Sequence, residues 1–340
     1  MYNPALPDVR EHVSVPGAYT RIDGQSPMEL LAAATQILGD RRLLNYPGCA
    51  QLEILDSAQH PDTAEANPTI VWFAEMGQAL DGAANASNLY RLSVIRQQFP
   101  DHRFIVVGLP DGSERATRFV SPEQRQAAAE ADFSPFHIPL VQYLHDTGAW
   151  SLLVGGCSGG AEIGADFLRF LTAPNGELGV PEIQAVGYSF VEAPGIRERS
   201  ALGLGFRFLK AVTGVGRYVQ GADDVYKLAL HMQKPLLPYI ASMLHPDNRA
   251  IAHGYARAKF AEHLAEAIDN RPGLHGVVAW GTATEFGPRK YVEAASNKLA
   301  LLGAGRVEVL DFDSDRHALC RDAVRIARVA LRAFSPLPDA

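Results

Sequence analysis

The feature that most limits how this chain can fold is the run Leu152-Leu153-Val154-Gly155-Gly156-Cys157-Ser158-Gly159-Gly160-Ala161. An apolar stretch feeds a turn built of small residues, and a helix-period stretch follows at 161–171. A strand that turns this sharply into a helix holds its central residue in a strained backbone conformation. Glycines are needed on either side, because side chains there would collide with the neighbouring strand and helix. Residues 156–160 give G-x-S-x-G centred on Ser158, and residues 155–159 give G-x-C-x-G centred on Cys157, so the turn has two registers. A phosphate-binding turn is the plainer alternative. The spacing provides neither G-x-G-x-x-G nor a P-loop lysine, and the segment lies mid-chain rather than after the first strand.

The same unit recurs along the chain. Short β-branched runs at 69–73 (TIVWF), 104–107 (FIVV), 152–154 (LLV), 277–280 (VVAW) and 307–310 (VEVL) each meet a turn rich in Gly, Pro or Asp. A less regular run, 183–191, contains Gly187. Helix-period stretches at 88–98, 122–131, 161–171 and 322–334 supply the crossovers that parallel strands require. The class expected is α/β, with a mostly parallel central sheet flanked by helices. Between 197 and 271 the strand pattern gives way to amphipathic, partly very apolar stretches, 201–212 and 224–244. That is far more chain than one crossover uses, and it reads as an inserted helical cap. The core then falls into two parts, 26–196 and 272–334, as suits a 340-residue chain that outgrows a single simple core.

Charge and composition exclude several functions. A net charge of −7 with no basic block argues against nucleic acid as a partner. No stretch reaches the roughly 20 apolar residues of a membrane span. Residues 1–11 lack the positive end and apolar run of a secretory signal, so a cytoplasmic location is expected. The three cysteines, Cys49, Cys157 and Cys320, show no CxxC spacing, which suits free thiols and gives no zinc or other metal site. No cofactor is implied.

The strand–turn–helix context resembles the α/β-hydrolase fold, in which the chain order is nucleophile, acid, histidine, with the histidine after the last strand. His317 has that position, between the run 307–310 and the final amphipathic stretch. Two glutamates could orient it: Glu192, ending the strand after the nucleophile helix, and Glu285, after the strand 277–280. Two backbone amides are needed for an oxyanion. Gly159 supplies one if Ser158 attacks, and Glu75 or Met76, in the turn after TIVWF, is best placed for the other. In the serine register Ala161, Gly164 and Ala165 should press on the sheet, while Asp166 and Arg169 point away from it; in the cysteine register the bulkier Ile163 would move towards a tight position, which favours Ser158 as the nucleophile.

Residues 153–171 (LVGGCSGGAEIGADFLRFL), with 104–113 (FIVVGLPDGS) and 314–319, resemble the thioesterases that release products from nonribosomal peptide and polyketide assembly lines. The resemblance implies an acid at the end of the strand after the nucleophile helix, carried here by Glu192 where those enzymes usually have aspartate. It also implies a histidine in the first oxyanion loop, where this chain has Ala74-Glu75-Met76-Gly77. The expected activity is acyl transfer from a thioester or ester to water or an internal nucleophile. The substrate is a small-molecule acyl group, presented on a carrier protein or coenzyme A. The alternatives are a cysteine-nucleophile hydrolase or cyclase using Cys157, similar to dienelactone hydrolases, and a non-catalytic binding protein of the same fold.

Overall fold

β-branched and aromatic residues fill the middle of the sheet. Thr69–Phe73 (β3) and Phe104–Val107 (β4) are buried at every position, as strands covered on both faces must be. The computed structural model describes residues 27–57, 67–75, 80, 86–110, 116–174, 182–195, 198, 200, 203–204, 242, 244–257, 259–281, 289–302, 307–312 and 323–334. Its other strands are Asp40–Leu44 (β1), Leu52–Asp56 (β2), Ser151–Cys157 (β5), Gln184–Val191 (β6), His275–Gly281 (β7) and Val307–Phe312 (β8). They form one eight-stranded sheet in the order β1-β2-β4-β3-β5-β6-β7-β8. β2 is antiparallel to both its neighbours, and every pairing from β4 to β8 is parallel. The irregularity expected at Gly187 is a bulge: Leu152 pairs with Ala185 and Leu153 with Gly187, leaving Val186 extra.

Helices cover both faces. Pro27–Leu38 (α1), Ala86–Gln97 (α2) and, from the far end of the chain, Ala323–Phe334 (α9) share one apolar cluster that includes Leu38, Leu92, Ile326 and Cys157. Pro122–Ala129 (α3), Ser134–Asp146 (α4), Gly159–Thr172 (α5), Pro246–Ala256 (α6) and Phe260–Asn270 (α7) share the other, with Phe73, Phe167, Phe190, Tyr255 and Trp280. Arg289–Leu302 (α8) precedes β8. Local signals set several ends. Ser121 accepts from the Gln124 amide at 3.3 Å and Pro122 follows it, an N-cap with proline in the first turn.

The six strands read from sequence are present, three of them longer than read. β1 and β2 were not read: β1 exposes its first four residues, and β2 buries Glu53 and Asp56, so neither looks like a half-buried or fully apolar strand. Asp56 is held by a bidentate Arg103 (3.1 and 2.6 Å) and by the Tyr143 hydroxyl at 2.5 Å. α4 carries Pro139 in its interior and was not read either. Most of the cap reading, 197–271, lies outside the described residues. What is described of it packs on the core: α7 lies along α5, and α6 along α3. Among the described residues no helix is long and apolar enough to cross a membrane.

Candidate active site

The parallel strands β5, β6, β7 and β8 are neighbours and end on one edge of the sheet, the edge where open α/β sheets form their crevices. β5 ends in the glycine-flanked turn. Its left-handed residue is Ser158, at φ 54 and ψ −126, and α5 begins at the next residue. Two glycines make the turn possible. At Gly160 a Cβ would strike the Phe73 and Ala74 carbonyls, and at Gly156 it would strike the backbone of Gly160 itself. The turn therefore sits hard against the end of β3, so the loop that starts at Glu75 leaves the sheet beside it.

Cys157 is the last residue of β5, not the turn residue. Its side chain packs with Trp72, Leu92 and Ile326 on the α2 and α9 face of the sheet and is 5% exposed. Of the two registers in the sequence, the backbone adopts the one centred on Ser158.

Register then brings Glu192 alongside. Cys157 pairs with Val191, and the Ser158 amide donates to the Val191 carbonyl at 2.8 Å, so the residues after each strand end, Ser158 and Glu192, are adjacent across the sheet edge. Glu192 is 1% exposed and is itself left-handed, at φ 52. Its amide donates to Ala279 O at 2.8 Å and its Oε1 accepts from the Gly281 amide at 3.2 Å, which ties the carboxylate to the end of β7. Among the described residues only Ala131, Ser158 and Glu192 combine a side chain with positive φ. Two of these three occupy adjoining strand ends. Such strain costs on the order of 1–3 kcal/mol per residue and persists where the surroundings enforce it, typically at functional sites.

On the oxyanion side, Gly159 opens α5, and its carbonyl accepts from the Tyr255 hydroxyl at 2.9 Å. The Glu75 carboxylate is turned to Arg91 at 2.7 Å, which leaves only its backbone for an oxyanion. The loop is pinned at both ends: the Ala74 amide donates to Val107 O, and the Leu80 amide to the buried Glu53 carboxylate at 3.0 Å. Met76, Glu285 and His317 lie outside the described residues. His317 follows β8 by five residues and precedes α9.

One expectation about α5 fails. Ala161 and Ala165 are buried as expected, but Asp166 does not point to solvent; it is fully buried. α7 covers the face of α5 that would otherwise be wet. Asp166 accepts from the Phe133 amide at 2.9 Å and from Arg169 Nε at 2.8 Å, and it lies 3.0 Å from His137 Nε2 and 3.5 Å from His263 Nδ1. Burial alone would raise its pKa, but the hydrogen bond and charge of His137, with His263 and Arg169, hold its carboxyl well below the usual range. Sequence reasoning also passed over Glu162, one turn earlier on the same face and likewise fully buried.

No family model matches the sequence, and no curated protein does. Solved structures do. The thioesterase domain from the curacin biosynthetic pathway superposes with a TM-score of 0.52 at 13% identity, covering 86% of this chain and 99% of its own. MGS-M2, an α/β hydrolase from a Medee basin deep-sea metagenome library, gives 0.53 at 11% identity over 88% and 99%. The chain has the α/β-hydrolase fold. A hydrolase from Pseudomonas aeruginosa PA01 agrees, at 0.51 and 12% identity over 86% and 98%. In this chain Ser158 stands in the turn after β5 and Glu192 directly follows β6.

Proposed function

We propose that this chain is a serine hydrolase of the thioesterase and esterase kind, which cleaves or transfers an acyl group through an acyl-enzyme. The observation that carries the reading is the left-handed Ser158 between β5 and α5, flanked by glycines and pressed against the end of β3. In this reading Ser158 Oγ attacks the acyl carbonyl while His317 takes its proton. The amide of Gly159 and one from the Glu75 and Met76 turn hold the oxyanion, and His317 then protonates the leaving thiol or alcohol. Water, deprotonated by His317, or an internal nucleophile releases the acyl group. Glu192 orients His317; its burial and its place beside Ser158 favour it over Glu285. Cys157 packs beneath the turn, which speaks against a cysteine mechanism.

The likeness in fold to a thioesterase domain supports an acyl thioester as the substrate class. The acyl group would arrive on a carrier protein or on coenzyme A in the cytoplasm, and the apolar stretches within 197–271 would wall its pocket as a cap. Labelling with a fluorophosphonate followed by peptide mass spectrometry tests the reading. The expected result is an adduct on Ser158 that is lost in His317→Ala. An unlabelled Ser158 in folded protein would overturn it and leave a non-catalytic binding protein of this fold.

A further inference from the structure

Glu162 is a fully buried carboxyl one turn after Ser158, and among the described residues no cation acts on it. It takes a hydrogen bond from the loop after β6: the Gly195 amide donates to Glu162 Oε2 at 3.1 Å. Gly195 lies three residues after Glu192, in the loop that leaves β6. The approach is so close that a Cβ at Gly195 would fall onto the Glu162 carboxylate, so the loop is shaped around this one side chain. A buried carboxyl is costly to bury, and here it joins the helix that begins at the nucleophile to the loop that begins at the acid.

We propose that Glu162 is a positioning residue that sets Glu192 relative to Ser158 by clamping the 192–195 loop to α5. This role rests on the serine-hydrolase reading above. It is performed by the neutral acid. Burial pushes the Glu162 carboxyl up to about 8; the Gly195 amide works against that, the nearby Asp166 adds to it, and the Phe260 amide opposes it. The groups facing it are Asp166 on its own helix, Tyr255 from α6 and, around Asp166, His137 from α4 and His263 with Arg169. None of these places a cation against Glu162 itself. Ionisation therefore puts an unpaired anion in the clamp beside the Asp166 carboxylate, and hydrating that anion requires the loop to move.

The test is steady-state hydrolysis of p-nitrophenyl butyrate and of a butyryl thioester by wild type, Glu162→Gln and Glu162→Leu across pH 6 to 10, about two units on either side of the expected transition. Glu162→Gln keeps the hydrogen bond and cannot ionise. It is expected to hold kcat within about threefold at neutral pH and to escape the decline in kcat expected of wild type as pH rises through about 8. Glu162→Leu removes the clamp and is expected to lower kcat about tenfold or more with KM changed less than about twofold. Equal pH profiles and equal kcat in all three proteins, with Ser158 still taking the fluorophosphonate, overturn the role of Glu162 alone. A folded wild type whose Ser158 takes no adduct overturns the serine-hydrolase reading and this role with it.

Discussion

At Ser158 and Cys157, neighbours in sequence, a single backbone turn separates two chemistries. Ser158 is left-handed at the head of α5, whereas Cys157 is the last residue of β5 and packs against Trp72 and Leu92. Ser158→Ala is expected to reduce kcat by about 10³-fold or more, as loss of an attacking group does, while Cys157→Ala leaves kcat within about threefold. Turnover of an activated ester by both variants checks this, and comparable losses would mean the thiol takes part. Glu192 repeats the lesson one strand over. Glu192→Gln should fold, because the Gly281 amide can still donate to its carbonyl oxygen, yet lower kcat by about 10²-fold or more by weakening the hold on His317. Activity equal to wild type would return the role to Glu285. The two registers were visible in the sequence; the glycines lie on both sides of either centre and do not choose, and only the small residues Ala161, Gly164 and Ala165 of the following helix favoured Ser158.

β2 depends on a buried ion pair. Its Asp56 is enclosed by Arg103 and Tyr143, and the Tyr143 hydroxyl is pushed up to about 12 by burial and by its bond to Asp56. Removing one partner of a buried pair strands the other. Asp56→Ala is expected to lower unfolding free energy by about 3–5 kcal/mol. Lys259→Ala, which breaks the exposed pair with Glu262, should change it by less than about 1 kcal/mol. Urea unfolding midpoints compare the two, and a small effect at Asp56 would show that the pair contributes little. These are also the elements hardest to read from sequence. A strand with two acidic residues, LEILD, carries an acid on each face until its cations arrive, Arg41 from β1 and Arg103 from just before β4. α5 posed the opposite difficulty: Asp166 read as a wet position, and Glu162, four residues before it, drew no reading at all, until α7 packs along the helix.

For the whole molecule, the two carboxyls of α5 pull stability in opposite directions with pH. Glu162 keeps a proton in the folded state that the unfolded chain releases near its ordinary value of 4.5. Stability therefore falls as pH rises from about 4.5 to about 8, and the penalty is complete above that. Asp166, held low, contributes fully above its ordinary value of 3.8, and that contribution is lost as pH falls through the folded pKa. Melting temperatures of wild type and Glu162→Gln should draw apart between about pH 5 and pH 8, with wild type losing more; parallel curves would refute the shift. The sequence by itself determined the parallel-sheet class, the strand–turn–helix at 152–171, and the placing of His317 after the last strand, because hydrophobic period and glycine sterics are local properties. Tertiary structure decided the register of the turn, the adjacency of Ser158 and Glu192, and the burial of Glu162 and Asp166. Each depends on which element packs against which, and a carboxylate carries no local mark of whether water or another helix will face it.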